Sequence, residues 1–309
     1  MALPYRWQWR VEKWKKAAQG FFGGGQQQPR PKLCPACGAL VGISATRCHE
    51  CGASLRFSLA ALSKKLSGVF GETETPVTTA LLVANILMLG VSWVLTMQAG
   101  GAEGLHVLTG MSSDASYRLG ASHPYGFFYQ HEWWRLVTAM FLHGGLLHIG
   151  FNMMSLLQLG PALEELYGSP RYLFLYVVTG ALGFLVSVWT LHFSLGASGA
   201  LLGLVGAMLA VTTKRGGAFM RDLRSRLITS VVILFAIGFW GGLGIDNYAH
   251  MGGFAAGFLF GKIYADRQPM NAREKQTAYA LGWIAGIVVL ASFVMMILHF
   301  PDRLPWQQP

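Results

Sequence analysis

The feature that most constrains this chain is a series of long segments without a single charged side chain. They cover residues 76–98, 136–163, 172–213, 227–245, 247–261 and 278–300. A helix needs about 20 apolar residues to cross a bilayer, and the segment 172–213 is long enough for two such helices. Only 12% of all residues are charged, well below the share that is typical of soluble domains. The sequence therefore predicts an all-α polytopic membrane protein with seven crossing helices.

The basic residues indicate how these helices are oriented. If residues 1–75 lie in the cytoplasm and each segment crosses once, every Lys and Arg falls on the inner side except Arg118, Arg135 and Arg303. This is the distribution that the positive-inside rule demands. We therefore expect the N-terminus inside and the C-terminus outside. Topology and anionic lipids account for the net charge of +10, so no nucleic-acid partner is expected.

Residues 1–32 form a basic segment that ends in a Gly- and Gln-rich linker. They contain no continuous apolar core, so we predict no cleavable signal peptide. Trp7, Val11, Trp14, Ala18 and Phe21 fall on one helical stripe, which suits a helix lying on the inner membrane surface. A partly disordered basic tail explains the same residues equally well.

All four cysteines lie in the stretch CPACGALVGISATRCHECG, as Cys34, Cys37, Cys48 and Cys51. Two Cys-x-x-Cys-Gly knuckles supply four thiolates that can surround a Zn²⁺ ion tetrahedrally. Two disulfides are the alternative, but the predicted topology places this segment in a reducing cytoplasm. We therefore expect a zinc-ribbon-like domain with a structural zinc ion over residues 33–55, followed by a linker over residues 56–75.

Three polar residues interrupt the second apolar segment, which includes FLHGGLLHIGFNMMSLLQLG. His143, His148 and Asn152 are each unfavourable to leave unpaired in hydrocarbon. His148 and Asn152 are four residues apart, so they share one face of a helix. At helical pitch His143 points elsewhere, and we expect it to support a neighbouring loop. Hydrogen bonding between helices is the simplest explanation of any one of these residues alone.

The stretch GASGALLGLVGA places Ser198 at the start of a ridge of glycines, and His250 stands near the start of a second ridge. The two sets of glycines are Gly199, Gly203 and Gly206, and Gly253, Gly257 and Gly261. Small residues let membrane helices approach closely, which by itself explains the ridges. Packing does not explain why a serine and a histidine occur at matching ends. We expect the hydroxyl and the imidazole to lie within hydrogen-bond reach.

The same region supplies the donors that a serine peptidase aims at the oxyanion of its tetrahedral intermediate. Ser198 opens its helix, which leaves its backbone N–H without an intrahelical acceptor. The amide of Asn152 and the ring N–H of His148 complete the expected pocket. No carboxylate except Asp246 falls near His250. The sequence therefore favours a Ser–His dyad over a triad.

With these residues assembled, the sequence resembles the rhomboid family of intramembrane serine proteases. The resemblance is carried by HGGLLHIGFN, GASGALLGLVGA and AHMGGFAAG, by Trp134 and Arg135 in the first outer loop, and by Glu164. It covers residues 76–266 and implies a rhomboid-like six-helix bundle with a water-filled cleft open to the outer side. The residues expected to support the site are His143, Gly196, Gly199, Trp134, Arg135, Glu164, Gly253 and Gly257.

The resemblance implies Ser198 as the nucleophile and His250 as the general base and acid. It implies an oxyanion hole formed by the N–H of Ser198 with His148 and Asn152, and no cofactor for catalysis. The implied substrates are single-pass membrane proteins, cut in or near the transmembrane segment. We expect an integral protein of a prokaryotic inner or plasma membrane. A cytoplasmic protein is the partner that we consider for the zinc module.

Two features depart from the family pattern. Bacterial relatives often carry an aromatic residue four positions after the serine, where this chain has Leu202, so we expect His250 to lean on another neighbour such as Tyr248. A seventh helix within residues 267–309 and the zinc module are additions to the six-helix bundle.

A membrane-protein binder or chaperone that keeps the bundle without catalysis is the alternative function. A transporter fits less well, because no charged residue lies in mid-span to couple ions.

Overall fold

The computed structural model describes residues 32–34, 38–42, 45–50, 54–55, 74–98, 110–240, 244–264 and 266–301. The chain divides into two compact units, Met1–Phe57 and Ser58–Pro309. Apart from their last residues, the predicted basic helix of residues 1–32 and the linker of residues 56–75 lie outside the described residues. Both therefore stay predictions.

The described part of the first unit contains a small hairpin. Strand β1 (Lys32–Leu33) pairs antiparallel with strand β2 (Leu40–Val41). Gly38 lies in the connection with a φ of 79°, a left-handed conformation that glycine adopts without strain. The backbone N–H of Cys34 donates to the carbonyl of Ala39 at 2.7 Å, which closes the connection.

In its described part, the second unit consists of helices and their connecting loops, with an isolated bridge between Ser122 and Ser194. Its helices are α1 (Pro76–Gln98), α2 (Ser113–Arg118), α3 (Pro124–Phe128), α4 (Arg135–Thr138), α5 (Leu146–Tyr167), α6 (Ser169–Trp189), α7 (Ser198–Lys214), α8 (Ala218–Trp240), α9 (Asn247–Ile263) and α10 (Ala272–Leu298). Five of them, α1, α5, α6, α8 and α10, are long and apolar enough to cross a membrane. The prediction of an all-α polytopic membrane protein is confirmed.

The two remaining long helices, α7 and α9, have 17 residues each. At 1.5 Å per residue such a helix reaches about 25 Å, somewhat less than the hydrocarbon core of a bilayer. The seven predicted crossing segments thus correspond to seven long helices. Within the part of the chain that the structure describes, five of these helices meet the length of a full crossing.

The second predicted crossing segment begins too early. It was expected from residue 136, whereas α5 begins at Leu146. Residues 135–141 form α4 and a 3-10 turn, Ala139–Phe141. Except for Arg135 and Thr138 their side chains are apolar, and they pack inside the protein, where Val137 and Met140 are at most 3% exposed. The charge-free run therefore begins before the helix does.

Two other helices begin earlier than the apolar runs indicate. Helix α8 starts at Ala218 rather than at residue 227, and α10 starts at Ala272 rather than at residue 278. The first turns of both helices carry charged residues, such as Arg221 and Glu274. A helix can extend from the hydrocarbon core into the polar interface, so the charge-free run is shorter than the helix.

Helices α7 and α9 pack against each other through glycine. A methyl group on Gly253 would overlap the carbonyl oxygen of Gly199, and one on Gly257 would overlap the carbonyl oxygen of Gly203. Lower along the pair, a methyl group on Gly261 would lie 2.7 Å from the carbonyl oxygen of Ala207. The backbones therefore touch along the whole pair, an approach that only glycine permits.

Glu164, near the end of α5, joins three helices. Its carboxylate accepts hydrogen bonds from the N–H groups of Val77 and Thr78 at 2.9 and 2.8 Å, in the first turn of α1. It also accepts from the hydroxyls of Thr78 at 2.8 Å and of Ser169, which begins α6, at 2.7 Å. A carboxylate at a helix N-terminus satisfies donors that have no intrahelical acceptor. Glu164 thereby fixes α1 to the α5–α6 turn.

Candidate active site

Ser198 and His250 meet at one end of the α7–α9 pair. The Oγ atom of Ser198 and the Nε2 atom of His250 are 2.7 Å apart. Ser198 is the first residue of α7, and His250 lies in the first turn of α9. His250 is 4% exposed, whereas Ser198 is only partly buried. The close contact of the two helices thus brings a hydroxyl and an imidazole together in a partly buried position.

The loop before α7 holds Ser198 in place. The N–H of Gly196 donates to the carbonyl of Ala139 at 2.9 Å. Gly196 has a φ of 126°, and a methyl group there would lie 2.8 Å from the ring of His148. Both the backbone conformation and the close approach require glycine at this position. Gly196 therefore sets the distance between the serine loop and His148.

Asp246 caps α9 and so fixes the turn that carries His250. One of its carboxylate oxygens accepts the N–H groups of Tyr248 and Ala249, both at 3.0 Å. The other accepts the hydroxyl of Ser187 on α6. Within the described chain, Nδ1 of His250 has no hydrogen-bond partner. Asp246 thus orients the helix rather than the imidazole, and the arrangement is a pair rather than a triad.

The aromatic neighbour of His250 is Phe235 on α8. The two rings meet edge to face, with centroids 6.4 Å apart and an interplanar angle of 81°. The side-chain amide of Asn247 donates to the carbonyl of Phe235 at 3.3 Å. Tyr248, which we expected to support His250, instead lies against His192 at 4.8 Å between centroids. The expectation for Tyr248 is wrong, because the first turn of α9 directs its ring to the opposite side.

His148 presents one defined ring nitrogen to the site. Its Nδ1 accepts the N–H of Gly144 at 3.2 Å. A neutral imidazole that accepts at one nitrogen carries its proton on the other, so Nε2 is the donor. The Nε2 and Cε1 atoms lie beside Gly196, two residues before Ser198. His148 therefore directs an N–H toward the surroundings of the serine.

Asn152 lies one turn further along α5 and is 5% exposed. Its side-chain amide donates one hydrogen bond to the carbonyl of His148 at 2.8 Å. An amide NH₂ group has two donors, so one N–H is left for a further acceptor. The shared helix face that the spacing predicts for His148 and Asn152 is present in the structure.

His143 lies before α5 rather than within it. Its ring is 1% exposed and packs edge to face on that of His148, with centroids 5.1 Å apart. Neither of its nitrogens has a hydrogen-bond partner among the described residues. The helical pitch used to separate the two histidines does not apply to a loop residue. His143 therefore packs on His148, and its supporting role stays a prediction.

Trp134 and Arg135 anchor the described segment that precedes them, residues 110–133. Arg135 is 1% exposed, forms an ion pair with Glu132 at 2.5 Å and donates to the carbonyl of Tyr117 at 2.7 Å. Its guanidinium also lies over the rings of Tyr117 and Trp134, at 4.0 and 4.8 Å. A buried guanidinium with this many partners rigidifies a loop. The loop in turn holds Ser122, whose backbone pairs with that of Ser194, just before Gly196.

Two of the four predicted zinc ligands fall among the described residues. Cys34 and Cys48 are 2% and 3% exposed and pack around Val41. Cys37 and Cys51 lie outside the described residues. In the described ranges, no three His, Cys, Asp or Glu side chains form a group that could hold a metal ion. The zinc site stays a prediction.

Comparisons with a family model and with known proteins point to the same family. A family model described as Rhomboid domain matches residues 130–267. Rhomboid protease GluP of Bacillus subtilis (strain 168) is 40% identical over 131 residues, which cover 42% of this chain and 26% of that protein. RHOMBOID-like protein 1 of Arabidopsis thaliana is 36% identical over 180 residues, covering 56% and 46%.

The matches to these two relatives span less than half of each relative's length. RHOMBOID-like protein 6, mitochondrial, of Arabidopsis thaliana is matched more fully. It is 33% identical over 215 residues, which cover 62% of this chain and 68% of that protein. The residues matched by the family model include Ser198 and α9 with His250. The chain belongs to the rhomboid family.

Proposed function

We propose that this chain is an intramembrane serine endopeptidase in which Ser198 and His250 form a catalytic dyad. The observation that carries the proposal is the 2.7 Å separation of the serine Oγ and the histidine Nε2. A nucleophilic serine needs a base within this distance to take its proton. The identity to a named rhomboid protease gives independent support.

In the proposed reaction, Ser198 Oγ attacks the scissile carbonyl carbon while its proton passes to His250 Nε2. A C–O bond forms, and the carbonyl oxygen becomes an oxyanion. The tetrahedral intermediate then collapses, the C–N bond breaks, and His250 returns the proton to the leaving amine. Water attacks the acyl-enzyme, again through His250, and releases the acid with Ser198 restored.

The oxyanion hole that we propose consists of the N–H of Ser198, the Nε2–H of His148 and the second amide N–H of Asn152. Ser198 begins α7, so its N–H has no intrahelical acceptor. The bond from Gly144 to Nδ1 of His148 fixes the tautomer that such a donor needs. Each donor of this kind is worth about 3 kcal/mol in the transition state.

The proposed substrates are membrane proteins that are cut within or near a transmembrane segment and reach the enzyme by diffusion in the bilayer.

To test the activity, the full chain is reconstituted in liposomes with a single-pass substrate. We expect cleavage to stop in Ser198→Ala and in His250→Ala. Ser155→Ala is the control, because the Ser155 hydroxyl bonds within its own helix to Phe151 at 2.9 Å. Cleavage that persists in Ser198→Ala contradicts the proposal, and binding without cleavage by the wild type favours a membrane-protein binder.

We also propose that Cys34, Cys37, Cys48 and Cys51 hold a structural zinc ion. Buried Cys34 and Cys48, packed together around Val41, fit a shared ligand. Zinc there would supply folding energy to a domain too small for its own core. Metal analysis of the full chain, beside a variant with all four cysteines replaced by serine, tests this.

We further propose that the N-terminus lies in the cytoplasm and the C-terminus on the outer side of a prokaryotic membrane. A cytoplasmic protein is the proposed partner of the zinc module.

A further inference from the structure

Basic side chains gather at the end of the bundle opposite Ser198. Arg171 lies in the first turn of α6, and Lys214 and Arg215 lie at the end of α7. Arg215 pairs with Asp266 at 2.7 Å. Among the described residues, Arg171 and Lys214 form no ion pair with a carboxylate; Lys214 donates to the carbonyl of Tyr264 at 2.8 Å. This end of the protein therefore carries surplus positive charge.

A small cavity is lined by one of these basic side chains, Arg171. It has a volume of about 10 Å³, which admits one group the size of a water molecule. The lining residues are Tyr167, Arg171, Phe174, Leu175, Phe260, Gly261 and Tyr264. The cavity thus combines two hydrogen-bond donors from α5 and α6 with an otherwise aromatic and apolar wall.

Both donor side chains are buried, and the Nη1 atom of Arg171 donates to the carbonyl of Arg267 at 3.4 Å. Tyr167 and Arg171 are 3% and 9% exposed. The hydroxyl of Tyr167 and the Nε atom of Arg171 have no hydrogen-bond partner within the described ranges. A buried donor without an acceptor is unfavourable by about 1–3 kcal/mol, and native structures seldom contain two side by side. The pair indicates an acceptor other than the residues that the structure describes.

The surroundings indicate that this acceptor is an anion. Arg171 is charged and lies at the N-terminus of α6, where the helix dipole also favours negative charge. The acidic group that acts electrostatically on Tyr167, Asp266, is engaged by Arg215. The guanidinium of Arg171 lies over the ring of Tyr264 at 5.6 Å, which holds it at the cavity.

We propose that Arg171 and Tyr167 bind a phosphate group, one oxygen of which enters the cavity. The phosphate of an anionic phospholipid and free inorganic phosphate share this chemistry. The aromatic walls formed by Phe174 and Phe260, next to the two donors, match the junction of a lipid headgroup with its acyl chains. Basic pockets between transmembrane helices commonly bind such headgroups.

The test is lipid retention by the purified full chain, measured by native mass spectrometry with dioleoyl phosphatidylglycerol or dioleoyl phosphatidylcholine. We expect one phosphatidylglycerol to bind selectively, with affinity about tenfold lower in Arg171→Gln and about threefold lower in Tyr167→Phe. Arg171→Lys keeps the charge but lacks Nε, so it also weakens binding. The control is Arg226→Gln, which makes the same charge change at an exposed pair with Asp222.

A second measurement separates the two sources of phosphate and checks folding. Thermal unfolding is followed in neutral detergent with and without inorganic phosphate. If phosphate stabilises the wild type but not Arg171→Gln, and phosphatidylglycerol shows no selectivity, the phosphate-binding proposal holds with a soluble ligand. If Arg226→Gln weakens lipid binding as much as Arg171→Gln, or if neither ligand depends on Arg171 and Tyr167, the proposal is overturned.

Discussion

The ring of Phe235 meets the imidazole of His250 edge to face, at 6.4 Å between centroids. The contact crosses from α8 to α9, and α8 is otherwise peripheral, because Leu227 is its one buried residue in the described chain. Asn247, three residues before His250, bonds the same segment of α8 at the carbonyl of Phe235. The orientation of the histidine therefore depends on a helix that packs only lightly on the rest of the bundle.

Replacing Phe235 by Ala tests this dependence. An aromatic contact of this kind is worth about 1 kcal/mol, so we expect kcat for a membrane substrate to fall by roughly five- to tenfold. KM stays nearly constant, because the substrate does not need this ring to bind. The control is Phe239→Ala on the same helix, at a position that is 72% exposed. An unchanged kcat in Phe235→Ala would show that the contact does not position His250.

The backbone contact between α7 and α9 makes a second prediction. Gly257→Ala places a methyl group on the carbonyl oxygen of Gly203, and we expect a loss of stability of about 3 kcal/mol. Because the same helix pair sets the distance from Ser198 to His250, cleavage falls as well. Gly90→Ala on α1 is the matched control, since its methyl group meets nothing within 4 Å. Equal thermal midpoints for the two variants would refute close packing of α7 on α9.

Glu164 makes a third prediction about stability alone. Glu164→Ala removes an acceptor for four donors, on Val77, Thr78 and Ser169. Hydrogen bonds to charged groups contribute about 1.5–3 kcal/mol each, so with four bonds lost we expect the thermal midpoint to fall by more than about 10 °C. Glu165→Ala changes the neighbouring exposed carboxylate and serves as the control. A midpoint in Glu164→Ala as high as in Glu165→Ala would show that the α1 contact is unimportant.

The loop that contains His123 is predicted to respond to pH. Its Nδ1 accepts the N–H of Tyr125 at 3.0 Å. Burial, reinforced by the nearby positive charge of Arg135, lowers the pKa of His123 below its ordinary value. The unfolded chain then binds more protons as the pH falls below about 6.5, so stability is full above that pH and declines below it.

The measurement for His123 is the thermal midpoint of the full chain between about pH 7 and about pH 5.5. His123→Asn keeps a side-chain acceptor for the helix cap but does not titrate. We expect the decline in midpoint to be smaller in this variant than in the wild type. The same slope in both proteins would assign the pH dependence to other groups.

Local patterns in the sequence predict much of this fold. Charge-free runs locate the long helices, and the four-residue glycine spacing from Gly253 to Gly261 predicts the α7–α9 contact. The same patterns place Ser198 and His250 at matching helix ends. All of these features depend on the period of a helix or on its length, which a single sequence displays directly.

Other features depend on contacts between distant segments. The partner of His250 on α8, Phe235, is one of 19 phenylalanines in the chain, and nothing in its local pattern distinguishes it. The late start of α5 reflects packing of residues 135–141 inside the protein, where apolar side chains resemble those that face lipid. The sequence singles out Glu164 as a supporting residue but does not identify the groups that it contacts. Its partners in α1 lie more than 80 residues away in sequence.

The most direct test of the central claim is labelling of the reconstituted full chain with a fluorophosphonate probe, with the modified residue identified by mass spectrometry. If Ser198 is a nucleophile activated by His250, the probe attaches to Ser198 in the wild type and labelling is lost in His250→Ala. An unlabelled Ser198 in folded wild-type protein, or equal labelling with and without His250, would contradict the dyad.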